Sequence, residues 1–235
     1  MDPLISILIP ALNEEATLEQ VVDSVFDVLS SEFALEFVIV DDGSSDRTPE
    51  VIEELSQRYS CLRTARHPAP QGKGSAVRTG LGLITGDIFV IQDADLEYQP
   101  SDLPALLRPI LEGRADAVYG SRFTSPERAV NFFWTTLANQ LLTLFANVLF
   151  NTNFTDLYTG YKAIRTDLVR DLHLDSRTFV IEAELTAKLK HAGARFYEVP
   201  IRYRARTFSE GKKIRAFDAV RAIGGLIRYR FSSLR

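Results

Sequence analysis

Ile88-Phe89-Val90-Ile91-Gln92-Asp93-Ala94-Asp95-Leu96-Glu97 joins a four-residue apolar run directly to three carboxylates. A run this short, rich in β-branched residues and without strict polar alternation, is the pattern of a strand covered on both faces. Two further runs share it, Ile5-Ser6-Ile7-Leu8-Ile9 and Phe37-Val38-Ile39-Val40. Polar chemistry follows each at once: Pro10-Ala11-Leu12-Asn13-Glu14-Glu15 after the first, Asp41-Asp42-Gly43-Ser44-Ser45-Asp46 after the second, and Gln92-Asp93-Ala94-Asp95 after the third.

Helical spacing fills the intervals. Leu18, Val21, Val22, Val25, Phe26 and Leu29 recur at three- and four-residue steps within 15–30. Thr48-Pro49 reads as an N-cap with proline at the first helical position, opening a helix to about Tyr59. Ser101 and Asp102 open another towards Leu111, and Asp116 to Gly120 reads as a further strand leading to Ser121-Arg122. Alternating strands and helices predict an α/β fold, a mostly parallel sheet with helices on both faces. In such sheets ligands bind beyond the carboxyl ends of the strands, which is where the acids gather.

The chain has 235 residues, 46% of them apolar, enough for a sizeable core. The single cysteine, Cys61, excludes an internal disulfide framework and a multi-cysteine zinc cluster. No basic segment with a cleavage site precedes the first strand, so a cytoplasmic location is expected. Net charge is −4 but unevenly spread. From Arg202 onward ten Lys/Arg face two acids, giving +8, and seventeen basic against twenty-nine acidic residues leave −12 for 1–201. A basic tail on an acidic body attracts phosphate groups or an anionic membrane surface. No nucleic-acid-binding motif accompanies it, so nucleic acid is not the expected partner. No G-x-G-x-x-G follows the first strand, which disfavours a nicotinamide dinucleotide, and Gly72-Lys73-Gly74-Ser75 lacks P-loop spacing.

Residues i and i+2 of an extended chain point the same way, so Asp93 and Asp95 can converge on one ligand while Ala94 points away. Two adjacent carboxylates repel, and a divalent cation removes that penalty by binding both. Mg²⁺ or Mn²⁺ suits oxygen ligands, and Mg²⁺ typically takes one or two carboxylates plus substrate phosphates. Acidic pairs after strands also serve as helix caps or solvated loops. Asp-Gly-Ser is ordinary turn chemistry as well, and Asp46 or Thr48 would serve as a helix cap.

Four ordered motifs, Ile9-Pro10-Ala11-Leu12-Asn13-Glu14, Val40-Asp41-Asp42-Gly43-Ser44-Ser45-Asp46, Gly72-Lys73-Gly74-Ser75-Ala76 and Asp93-Ala94-Asp95-Leu96, resemble the inverting family 2 glycosyltransferases of the nucleotide-sugar-binding (GT-A) α/β fold. The second half is similar to one branch, the dolichyl- or polyprenyl-phosphate sugar synthases. It carries Gly120-Ser121-Arg122-Phe123, Thr155-Asp156-Leu157-Tyr158-Thr159-Gly160-Tyr161-Lys162, Glu182-Ala183-Glu184-Leu185-Thr186, Glu198-Val199-Pro200-Ile201 and Glu210-Gly211-Lys212-Lys213. The resemblance covers nearly the whole chain and implies a catalytic domain over 1–213 with a C-terminal extension over 214–235.

It further implies that Pro10, Ala11, Leu12 and Glu14 with Asp41 and Asp42 surround the base and ribose of a nucleotide diphosphate sugar, with Lys73 nearby. Asp93, Ala94 and Asp95 would serve nucleotide and Mg²⁺ or Mn²⁺, with Glu97 as a third metal-side ligand. Arg206, Ser209 and Lys212 would fold over the diphosphate. A hydroxyl acceptor calls for an enzyme carboxylate as general base, for which Asp156 and Glu182 are candidates. A lipid monophosphate, with a second pKa of about 6, is already ionised and needs cations instead. Arg122, then Lys162 and Arg128, are the candidates. The mannose synthases usually carry an arginine and, four residues on, a serine; here the comparable positions are Thr135 and Asn139, which leaves the sugar open. A catalytically silent nucleotide-sugar-binding or membrane scaffold is the reading from another class.

Two segments bear on location. Phe132 to Phe150 holds thirteen apolar residues in nineteen, with a Phe133, Leu137, Leu141, Leu144, Val148 stripe, but also Asn139, Gln140 and Asn147. A buried core helix is the plain expectation, and a helix against lipid or another subunit the sharper one. The tail spaces Phe217, Val220, Ile223 and Ile227 among arginines, the pattern of an amphipathic helix on an anionic leaflet, although Gly224-Gly225 weakens it. A peripheral membrane protein is expected, with a membrane-protein partner or a second copy as possible company.

Overall fold

The computed structural model describes residues 3–126, 133–170, 172–178, 180–204 and 216–230. Seven strands form one sheet in the order β3-β2-β1-β4-β6-β5-β7. They are β1 (Leu4–Ala11), β2 (Ala34–Asp41), β3 (Leu62–Arg66), β4 (Ile88–Ile91), β5 (Ala117–Ser121), β6 (Lys162–Arg165) and β7 (Phe196–Pro200). All neighbours run parallel except β6, which lies antiparallel between β4 and β5. The helices described are α1 (Leu18–Leu29), α2 (Thr48–Arg58), α3 (Lys73–Leu81), α4 (Leu103–Leu111), α5 (Phe133–Phe150), α6 (Ile181–His191) and α7 (Ala216–Arg230).

The apolar runs are continuous because alternate side chains enter different cores. Ile5, Ile7, Ile9, Phe37, Ile39, Ile88 and Val90 pack with α1 and α4 on one face. Leu8, Val38, Val40, Phe89 and Ile91 pack on the other with residues of α3, α5, α6 and α7. Each such buried side chain contributes about 1.5–3 kcal/mol relative to exposure.

The predicted strands and the first two helices stand within a few residues of their expected bounds. The Pro100–Asp102 stretch is a short 3₁₀ turn that leads into α4 at Leu103. Thr48 does not cap α2. It is the first helical residue, and its hydroxyl accepts the Glu14 N–H at 2.9 Å while donating to Asp46 Oδ1 at 2.6 Å.

Of the two segments that bear on location, the first differs from its plain expectation. Helix α5 is not a buried core helix: Thr143, Ala146 and Phe150 face inward, while Phe133, Trp134, Leu141, Leu144 and Val148 are exposed. It is long and apolar enough to cross a membrane by length and composition, with 17% of it buried. Its Asn147 nevertheless ties it to the domain, accepting from Phe154 N–H at 2.9 Å and donating to the Phe154 carbonyl at 2.8 Å. Helix α7 packs on its own domain through Ala222, Leu226 and Tyr229, and the Tyr229 hydroxyl lies 2.8 Å from Ser176 Oγ. Ile223 and Ile227 of the predicted apolar stripe point outward.

Candidate active site

Parallel pairing brings the ends of β1, β2, β4 and β5 to one sheet edge, and the antiparallel β6 starts there, with Lys162 opposite Ile91. The first two loops are laced together. Asn13, in the left-handed region at φ 54°, accepts the Ser45 N–H at 2.9 Å, and its own N–H donates to Ser44 Oγ at 3.0 Å. This holds the Pro10-Ala11-Leu12 backbone and Glu14 beside the Asp41 turn.

Asp41 and Asp42 do different things. Asp41 Oδ1 accepts the Ser44 N–H at 2.8 Å, whereas its buried Oδ2 accepts no hydrogen bond and has only the Arg66 guanidinium as an ion-pair neighbour, 3.0 Å away. A buried carboxylate oxygen outside any hydrogen bond is costly unless a donor reaches it. Asp42, expected among the residues around the base and ribose, is turned to the protein. Its carboxylate accepts from Gln71 N–H at 3.0 Å and from Gly72 N–H at 2.7 Å and pairs with His67 Nδ1 at 2.6 Å, while His67 Nε2 lies 2.9 Å from Thr79 Oγ1. Asp42 thus shapes the loop that delivers Lys73 at the start of α3.

Lys73 stands at the centre of a line of alternating charge. Its Nζ lies 2.6 Å from Asp93 Oδ1 and 3.5 Å from Glu182 Oε1, and the other oxygen of Glu182 is held by Lys162 Nζ. Burial works against the Lys73 charge, but Asp93 and Glu182 outweigh it and hold the ammonium well above its ordinary pKa. Lys162 goes the other way: burial lowers it and Glu182 only partly compensates. Lys162, a candidate grip on an acceptor phosphate, is fully buried, donates to the Thr159 carbonyl as well, and lies over the Tyr119 ring. Its place is therefore behind Glu182, away from the solvent-facing side of the site.

Asp93 is half-buried, with Ala94 and Asp95 buried beside it. Gly160 leaves the space that Asp93 Oδ2 occupies, since a β-carbon there would collide with it. Asp95 Oδ1 accepts the Glu97 N–H at 3.2 Å, and Glu97 Oε2 accepts from the Tyr203 hydroxyl at 2.9 Å. Among the described residues no group of three His, Cys, Asp or Glu side chains is placed to cage a cation, so the expected Asp93, Asp95 and Glu97 set is not assembled. The donor set fits Mg²⁺ or Mn²⁺ as a two-carboxylate site completed by ligand phosphates.

Arg122 follows β5 and pairs with the fully buried Asp156, Nε to Oδ2 at 2.6 Å and Nη2 to Oδ1 at 2.8 Å. Burial opposes the guanidinium charge, and Asp156 holds its pKa well above the ordinary value. Asn139 on α5 donates to Asp156 Oδ1 at 3.1 Å, which gives that departure from the mannose-synthase pattern a role. Glu198 on β7 accepts from the Thr155 and Asp156 N–H groups, with burial raising its pKa. Tyr203 stacks under Arg122, 5.0 Å from ring centre to guanidinium. Tyr98 accepts the Gly160 N–H at 2.7 Å and stacks on Tyr161.

His67, Tyr98 and Tyr203 escaped the sequence reading. A lone His or Tyr carries no local signal, and their partners lie 25, 62 and 106 positions away. Arg128, Arg206, Ser209 and Lys212 lie outside the described residues.

Residues 6–172 match Glycosyl transferase family 2. The chain is 31% identical over 230 residues to the dolichol-phosphate mannosyltransferase of Pyrococcus furiosus, covering 96% of this chain and 64% of that protein. It therefore spans just under two thirds of that relative's length. It is 30% identical over 214 residues to the undecaprenyl-phosphate mannosyltransferase of Micrococcus luteus, covering 87% of this chain and 85% of that one. Among solved structures, glucosyl-3-phosphoglycerate synthase of Mycobacterium tuberculosis in complex with Mn²⁺, UDP and phosphoglyceric acid superimposes with a TM-score of 0.72 at 25% identity, over 97% of this chain and 79% of that one. The sheet, the loops at its carboxyl edge and these likenesses agree, and the chain belongs to glycosyl transferase family 2.

Proposed function

We propose that the protein transfers a sugar, with inversion, from a nucleotide diphosphate sugar to a polyprenyl or dolichyl phosphate at the cytoplasmic face of a membrane. One observation carries the choice of acceptor. Asp156 and Glu182, the carboxylates considered as general base for a hydroxyl acceptor, are both buried in ion pairs, the first with Arg122 and the second with Lys162 and Lys73. A base so engaged is a poor proton acceptor, whereas a phosphate nucleophile arrives ionised. The names of the Pyrococcus and Micrococcus relatives support the same acceptor class.

In this reading the orphaned Asp41 oxygen receives the nucleobase, and Asp42 with His67 fixes the Gly72-Lys73 turn beneath the diphosphate. Asp93 and Asp95 would hold Mg²⁺ or Mn²⁺, which supplies charge neutralisation for the departing nucleotide. Arg122, kept charged and oriented by Asp156 and braced by Asn139, Tyr203 and Glu198, presents its remaining donor edge to the acceptor phosphate. The outward apolar residues of α5, Trp134 at 77% exposed among them, and Ile223 and Ile227 on α7 suit peripheral docking on lipid.

The test is transfer of radiolabelled sugar into an organic-extractable lipid fraction, with short polyprenyl phosphate and a panel of UDP- and GDP-sugars, with and without Mn²⁺ or Mg²⁺. A metal-dependent lipid product that disappears in Asp95→Asn is the expected result, and it names the donor. Transfer only to a sugar hydroxyl would overturn the acceptor assignment.

A further inference from the structure

Four charged side chains run inward from the site mouth in strict alternation: Asp93, Lys73, Glu182, Lys162. Their side-chain exposures fall along the way, 21%, 14%, 5% and 0%. Two positive and two negative charges balance within the row, and Asp95 stands beside it as a further carboxylate. Lys73 sits between two carboxylates, tight on Asp93 at 2.6 Å and looser on Glu182 at 3.5 Å. Glu182 is fixed from behind by Lys162 and cannot follow Lys73 outward.

We propose that Lys73 is the resident counter-ion of Asp93 and keeps a divalent cation from binding there until a diphosphate arrives with it. The inference rests on reading Asp93 as a cation ligand. An ammonium 2.6 Å from Asp93 Oδ1 occupies one of the lone-pair directions a metal needs and repels a second positive charge at short range. For a cation to take Asp93, Lys73 must shift its bond to Glu182 Oε1, the acceptor already beside it. A cation alone brings two positive charges to a place where Lys73 already offsets Asp93. A nucleotide diphosphate adds negative charges that offset the cation and attract the displaced ammonium. The absence of a third acidic ligand among the described residues points the same way, because two carboxylates leave the coordination to be completed by phosphate oxygens. Metal and nucleotide then bind as one unit, and the empty enzyme does not accumulate metal.

The test is Mn²⁺ binding to the full chain followed by electron paramagnetic resonance of free Mn²⁺, without nucleotide and with UDP or GDP, in wild type, Lys73→Met and Lys73→Gln. Thermal melts confirm folding, and the polar, uncharged glutamine serves if the methionine variant does not fold. Wild type is expected to bind Mn²⁺ weakly alone and tightly with a nucleotide diphosphate. The variants are expected to bind Mn²⁺ alone at least about tenfold more tightly than wild type, with the gain from nucleotide reduced. Glu182→Gln, which removes the charge of the alternative acceptor, is expected to weaken Mn²⁺ binding in the presence of nucleotide. Folded Lys73 variants with unchanged or weaker affinity for Mn²⁺ alone would overturn the inference and leave the metal reading intact. Failure of wild type to bind Mn²⁺ even with UDP or GDP would overturn both.

Discussion

Arg122 and Asp156 are joined at three points: Nε and Nη2 of the guanidinium bind the two carboxylate oxygens at 2.6 and 2.8 Å, and the Arg122 N–H reaches Oδ2 at 3.1 Å. The pair orients the guanidinium and engages both carboxylate oxygens of Asp156. Asp156→Ala leaves a largely buried charge unpaired, and a loss of about 3–5 kcal/mol in denaturant unfolding is expected. Arg122→Lys keeps the charge but not the two-point geometry. Its kcat/KM for polyprenyl phosphate should fall about tenfold to a hundredfold, in steady-state transfer assays, with donor KM nearly unchanged.

Gly72 has φ 102°, and a β-carbon there would meet the Arg177 carbonyl oxygen. Gly72→Ala should therefore cost about 1–3 kcal/mol of stability and displace Lys73. Nucleotide diphosphate affinity by calorimetry should drop alongside the melting temperature.

Trp134 is the single tryptophan and is exposed on α5 beside Phe133. Its fluorescence should shift to the blue on addition of anionic phospholipid vesicles if that face enters the interface, and Leu144→Asp should abolish the shift. An unchanged spectrum at saturating lipid would remove α5 from the docking surface.

Arg195 hydrogen-bonds Asp116 and, against some burial, holds its carboxyl down to about 2, from an ordinary 3.8. A depressed acid pKa stabilises the folded state fully above the unfolded value and loses that contribution as pH falls through the folded one. Asp116→Asn should cost about 1 kcal/mol at neutral pH, because Arg195 is more than half exposed and solvent screens the pair. The gap between wild type and variant should close between about pH 4 and 2 in urea titrations.

The local grammar of the chain was legible. The apolar run Ile88–Ile91 is strand β4 to the residue, because burial on both faces removes polar alternation, and that is a property of neighbours in sequence. Proline at the start of α2 and the helical spacing of α1 are similarly short-range signals. Strands β3, β6 and β7 were missed. They are four or five residues long, and Arg63, Thr64 and Arg66 make β3 polar, so only pairing to β2 marks it as a strand.

By itself the sequence determined the alternating α/β order, the edge at which Asp41, Asp42, Asp93 and Asp95 gather, and the motifs that mark the family. Tertiary structure decided which partners those acids take. Asp42 turns inward because the Gln71 and Gly72 amides and His67 need an acceptor, and Lys162 is buried because β6 threads between β4 and β5. Residue type and spacing are local, but a charge is committed by the partner that burial places against it, and here that partner stands twenty or more residues away.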